Sequence, residues 1–140
     1  MKAKKPSNPA YPVELNTLGD HLRKVRLDRG FSQPQVAKVL KVSINTVTFW
    51  ETNRCEPTAK FAKRIIEFLQ YVPFYENKSL GKRLYMARLV SGKTQAETAE
   101  LMDVDESNLR RIELDTQKPF QKTRKNIEGF IRDVMEKFTD

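Results

Sequence analysis

The chain has one cysteine, Cys55, and one histidine, His21. A single thiol closes no internal disulfide, which favours a reducing compartment. One cysteine and one histidine make no zinc site of known spacing. Nothing orients His21 and Cys55 as base and nucleophile, and no third group accompanies them. The five glycines form no phosphate-cradling loop. No apolar run approaches the ~20 residues of a membrane span. No charged segment leading into an apolar one marks a signal peptide. These gaps exclude the common enzyme, metal and membrane classes. The expectation is a non-enzymatic protein without cofactor or metal, off the membrane and cytoplasmic.

What remains is a 140-residue chain with 39% hydrophobic residues and a formal net charge of +8. That length holds one medium domain or two small ones. The positive excess suits a polyanionic partner, although charge also serves plain solubility.

One stretch organises the chain: residues 32–51, SQPQVAKVLKVSINTVTFWE. Ser32 is placed to cap a helix, with Gln35 completing a capping box. Pro34 falls in the first turn, where a missing N–H costs little. Val36, Ala37 and Leu40 share one helical face. A turn follows near Lys41 and Val42, and Ser43 caps a second helix whose Val47 and Trp50 return to the same core. Ile44, Asn45, Thr48 and Phe49 are left facing outward. A short helix held by its neighbour, with mixed polar and apolar groups outside, suits a DNA major groove.

The stretch recurs 62 residues on, as 94–113, TQAETAELMDVDESNLRRIE. At that offset Leu18, Gly19, Leu22, Arg26, Leu27 and Gly30 meet Leu80, Gly81, Leu84, Arg88, Leu89 and Gly92. Gln33, Ala37, Val42, Glu51 and Pro57 meet Gln95, Ala99, Val104, Glu113 and Pro119. Ile65 and Phe68 meet Ile127 and Phe130. The caps repeat in kind: Thr17 with Ser79, Ser32 with Thr94, Ser43 with Asp105. Shared caps, core positions and turns at one offset indicate an internal duplication.

The expected class is therefore all-α, two tandem domains of four to five short helices each. Residues 1–16, with three lysines and three prolines, read as a mobile basic arm. Domain one covers 17–72. Its first helix is expected from the Thr17 cap to Asp28, burying Leu18, Leu22 and Val25. Its last runs from Thr58 to Leu69, burying Phe61, Ile65, Phe68 and Leu69. Residues 73–78 form a linker too aromatic to be free, so Tyr71, Phe74 and Tyr75 are expected to pack. Domain two covers 79–140 and ends in a longer helix with an apolar stripe of Ile127, Phe130, Ile131, Val134 and Phe138.

On Gln33, Ala37, Val47, Trp50 and Glu51, preceded by Arg26 and Gly30, the chain resembles the lambda-repressor-like helix-turn-helix family, also called the xenobiotic-response-element family. Gln95, Ala99, Leu109, Ile112 and Glu113, with Arg88 and Gly92, repeat the resemblance. The whole is similar to small bacterial proteins with two such domains, the first closing in a segment like Ile65–Tyr71. The resemblance implies operator binding by the third helix. It puts Gln33 and Gln95 on the DNA backbone or a base edge. It gives base reading to Ile44, Asn45 and Phe49, and in the second copy to Glu106, Ser107 and Arg111. It also pairs Arg26 with Glu51 and Arg88 with Glu113. One departure stands out: the turn, often glycine in the family, is Lys41 and Asp103 here.

The full DNA-contact set is then Gln33, Lys38, Ser43, Ile44, Asn45, Thr48, Phe49, Arg54, Gln95, Ser107, Arg110 and Arg111. Lys38 and Arg54 are assigned to phosphates. The partner is double-stranded DNA, and the role is that of a transcriptional regulator. A homodimer or a protein partner, as for an antitoxin, is the alternative, favoured by the apolar Ile44 and Phe49. Copy one is expected to carry most of the affinity. Between 32 and 47 the only charges are Lys38 and Lys41, whereas 94–109 carries Glu97, Glu100, Asp103, Asp105 and Glu106.

Overall fold

A computed structural model describes residues 10–73 and 79–139. Most of the basic arm, all of the linker except Pro73, and the expected packing residues Phe74 and Tyr75 lie outside the described residues. Tyr71 is exposed. The elements are α1 (Leu18–Asp28), α2 (Gln33–Leu40), α3 (Ile44–Glu51), α4 (Ala59–Leu69), α5 (Leu80–Ser91), α6 (Gln95–Met102), α7 (Glu106–Glu113) and α8 (Gln121–Thr139). The fold class is all-α, with no strand among the described residues.

Caps start these helices largely where the residue types require. Thr17, Ser32 and Thr94 each close a capping box, with Asp20, Gln35 and Glu97 as the returning partners. Ser43 and Ser79 accept from the backbone N–H of Thr46 and Lys82. One expected cap differs: Asp105 has the extended backbone of a cap but no side-chain bond to the helix, as does Thr58 before α4. At Asp105 the negative charge still suits a helix N-terminus, an attraction that needs no fixed bond.

Packing divides the chain into two units, Met1–Pro57 and Thr58–Asp140. In the first, α3 packs on both α1 and α2. Leu22, Val25, Val36, Ala37, Leu40, Val47 and Trp50 are buried there, while Leu18 is only half-buried. In the second unit Leu84, Ala87, Ala99, Met102, Leu109, Ile112, Ile127 and Ile131 form a core. Phe130, Val134 and Phe138 continue the expected α8 stripe but stay half-buried.

The expected boundary at 72 differs from this grouping, because α4 packs beside α5. The physical reason lies in α5. At the positions where α1 carries Lys24 and Asp28, an exposed ion pair at 2.8 Å, α5 carries buried Met86 and Val90. A helix apolar on more than one face is covered on more than one face. Within this unit both α4 and α8 pack on α5. On α4 the buried stripe is Ala62, Ile65, Ile66, Phe68 and Leu69. Small Ala62 leads it, so the expected core residue Phe61 sits at the edge, half-buried beneath Lys60 and Arg64 at 5.7 and 5.1 Å from its ring centre.

In both units one helix starts hard against the end of another, α1 against α3 in the first and α5 against α7 in the second. A Cβ on Gly19 would lie 1.9 Å from the Trp50 carbonyl oxygen, and one on Gly81 would lie 2.2 Å from that of Ile112. Backbone occupies the space, so no side chain can swing away. Gly19→Ala is expected to destabilise the first unit by about 3 kcal/mol, the upper part of the usual range for overpacking. The change would be read from the thermal transition of Trp50 fluorescence. A wild-type transition would mean that α1 can shift away from α3 without loss.

Candidate nucleic-acid interface

The turn between α2 and α3 is set by Lys41, which takes the left-handed conformation (φ 59°, ψ 48°). Two bonds close it, Val42 N–H to Ala37 O at 3.0 Å and Lys41 N–H to Lys38 O at 3.3 Å. Asp103 repeats the conformation, with Val104 bonding back to Ala99 at 3.0 Å. The absence of glycine therefore leaves the turn's shape intact at a cost of about 1 kcal/mol for a lysine in that region.

A buried ion pair then fixes where α3 ends. Arg26 donates from Nε to Glu51 Oε2 at 2.7 Å and from Nη2 to Glu51 Oε1 at 2.9 Å. Its Nη1 donates to the Phe31 carbonyl at 3.0 Å, holding the chain between α1 and α2. Gln33 Nε2 also donates to Glu51 Oε1 at 3.1 Å. In the second unit Arg88 reaches Glu113 at 2.8 and 3.1 Å and the Lys93 carbonyl at 3.2 Å, while Gln95 reaches Glu113 at 3.1 Å. The same polar network thus occurs in both units, atom for atom. A bidentate carboxylate with further donors is the condition under which a buried pair is sustained.

A second lock ties the start of α1 to the loop after α3. Asn53, itself left-handed at φ 61°, donates to Asp20 Oδ1 at 3.0 Å. The backbone N–H groups of Asn16 and Thr17 donate to Asp20 Oδ2 at 3.0 and 3.2 Å. Burial raises the Asp20 carboxyl, but these bonds outweigh it and hold it below the usual carboxylate range. In the second unit the acid sits on the other side: Asp115 stands at the Asn53 position and accepts from the Ser79 hydroxyl and the Gly81 N–H. No local period announces this lock; only the pairing of an acid and an amide 33 residues apart signals it.

Between these locks, Lys38, Lys41, Ser43, Ile44 and Asn45 are exposed along α2, the turn and α3. Ile44 is 47% exposed and Phe49 39%. Arg54 lies over the Phe49 ring at 5.8 Å, so the assigned phosphate ligand and the assigned base reader form one unit. The Ser43 hydroxyl is occupied as the cap of α3, accepting from Thr46 N–H at 3.1 Å. Thr48 is half-buried rather than fully outward, and its hydroxyl oxygen lies 3.1 Å from both the Gln33 side-chain oxygen and the Ile44 carbonyl.

On the second unit Glu106, Ser107, Arg110 and Arg111 are exposed and Gln95 is half-buried. Glu100, Asp103 and Asp105 line a groove of about 470 Å³ there, together with Asn108 and the 85% exposed Phe120. Where the first unit presents lysines at 38 and 41, the second presents carboxylates at 100 and 103.

No helix among the described residues is long and apolar enough to cross a membrane. No group of three or more potential metal ligands occurs among the described residues. Residues 22–77 match the profile described as helix-turn-helix. That profile marks a DNA-binding regulatory family, generally non-enzymatic. No curated protein and no solved structure matches the chain.

Proposed function

We propose, from the match of residues 22–77 to the helix-turn-helix profile, that the chain reads a specific sequence of duplex DNA with α3. The observation that carries this reading is the contrast between the two α2–α3 and α6–α7 faces. Only Lys38 and Lys41 carry charge between 32 and 47, while the corresponding stretch carries five carboxylates. Lysines neutralise phosphates and release counterions; carboxylates at the same places repel the backbone.

In this reading Lys38, Lys41 and Arg54 hold the phosphates. The N-terminal ends of α2 and α3 add backbone N–H groups. Asn45 bonds a base edge, the pattern that an amide makes with adenine, and Ile44 and Phe49 meet thymine methyl groups. The second unit adds Gln95, Ser107, Arg110 and Arg111 as a subordinate surface. The function is transcriptional regulation through an operator.

Selection of bound sequences from random duplexes should return a defined motif. Asn45→Ala should then relax preference at one base pair, costing about 1–3 kcal/mol there, with the salt dependence of binding unchanged. Equal loss on every sequence would remove Asn45 from base reading. A second reading, a protein partner, draws on exposed Ile44 and Phe49, to which Val39 adds a further apolar side chain at 57% exposure. It predicts that selection returns no motif.

A further inference from the structure

We propose that Thr48 acts on DNA recognition through Gln33, as a positioning residue rather than as a direct contact. This rests on the reading that the first unit binds duplex DNA. Gln33 stands at the start of α2 with its amide held at both ends. Its Nε2 donates to Glu51 Oε1 at 3.1 Å. A carboxylate only accepts, so this bond fixes which end of the amide carries nitrogen. Glu51 is itself immobilised by Arg26. The other end, Oε1, lies 3.1 Å from Thr48 Oγ1. The hydroxyl has one proton for two acceptors, Gln33 Oε1 and the Ile44 carbonyl, both at 3.1 Å.

With both ties made, the amide plane is set before DNA arrives. One N–H and one oxygen lone pair remain to meet a phosphate or a base edge. A glutamine ordered in advance loses less rotamer freedom on binding than a free one. Thr48 is half-buried, whereas Ile44 and Asn45 are exposed, which places its hydroxyl behind the reading surface. The second unit has the first tie only: Gln95 repeats the bond to Glu113 at 3.1 Å, but Arg110 occupies the Thr48 position and supplies no hydroxyl. The two units therefore differ in how their leading glutamine is held, besides differing in charge.

The test uses the full chain and a duplex selected by the wild type, with dissociation constants for Thr48→Val, Thr48→Ser, Gln33→Ala and the Thr48→Val/Gln33→Ala pair. Thr48→Val keeps the branched shape and removes the hydroxyl. It should weaken binding about fivefold, the scale of one neutral hydrogen bond, with Trp50 melting as in the wild type. Thr48→Ser should restore affinity. In the Gln33→Ala background Thr48→Val should have no further effect, since the group it positions is gone. An equal loss in both backgrounds would make Thr48 a direct contact and overturn the proposal. So would a serine variant that behaves like valine, or a silent Gln33→Ala in a chain that still binds its duplex. If Thr48→Val melts early, Thr48→Ala provides a second hydroxyl-free variant for the same cycle. A wild-type chain that binds no duplex would instead remove the reading on which the proposal stands.

Discussion

Arg26→Ala is expected to destabilise the first unit by about 3–5 kcal/mol, the usual cost of leaving one partner of a buried ion pair alone. Native domains of this size are stable by only about 5–15 kcal/mol, so the variant should be largely unfolded at moderate temperature. Glu51 is 3% exposed and Arg26 9% exposed, so neither charge can turn to water while the helices stay in place. The loss would reach beyond the pair. Glu51 also holds Gln33, and Arg26 also holds the Phe31 carbonyl. Trp50, the only tryptophan, is buried in α3 beside Glu51 and reports on this unit. Its emission should shift to that of a solvated indole at a lower temperature than in the wild type. An unchanged transition would mean that packing alone seats α3 on α1. DNA binding should fall with stability, although Arg26 reaches no outward surface.

The Lys38→Glu/Lys41→Glu double variant should lose about a hundredfold or more of its affinity for the selected duplex near 0.1 M salt, since each reversal exchanges phosphate attraction for repulsion. Both lysines are exposed and neither belongs to the buried network, so folding should be retained. The matching change in the second unit, Glu100→Lys/Asp103→Lys, should leave affinity unchanged or raise it. Together the two variants assign the DNA surface without cutting the chain, which matters because α4 packs on α5 and a truncation at 78 would separate them. Equal losses from both variants would spread the binding across both units. A loss from the second variant alone would move the reading surface to Ser107, Arg110 and Arg111.

Much of the fold is legible in the residues because short-range rules govern it. Thr17, Ser32, Ser43 and Thr94 cap helices where their hydroxyls predict. The offset between Gln33 and Gln95, or Glu51 and Glu113, predicts two copies of one polar network, and both are present. Lys41 and Asp103 take a conformation for which glycine is the ordinary choice. There the surrounding helices override local preference. Asn53 takes the left-handed conformation that an asparagine tolerates, yet its bond to Asp20 depends on a helix 33 residues away.

The grouping of α4 was less legible, although its signal was present. Read as copies, α4 and α8 should occupy the same place in their domains, and the helix-turn-helix match does run through α4. Met86 and Val90, standing where α1 has Lys24 and Asp28, mark α5 as a helix with an additional covered face.

The Arg–Glu pairs came with the resemblance to a known family; by itself the sequence determined the helices, most of their caps, the repeat of residue types at one offset and the opposite charge of the two faces. Each follows from residue type and spacing along a local period, or from charges that stay on the surface however the helices pack. Only the tertiary structure decided that Gln33 is tied to both Glu51 and Thr48, that Asp20 is locked to Asn53, and that Gly19 admits no Cβ. Those contacts join residues 15 to 33 positions apart. Their geometry depends on how closely two helices approach, a distance set by the summed packing of the core rather than by any one residue's preference.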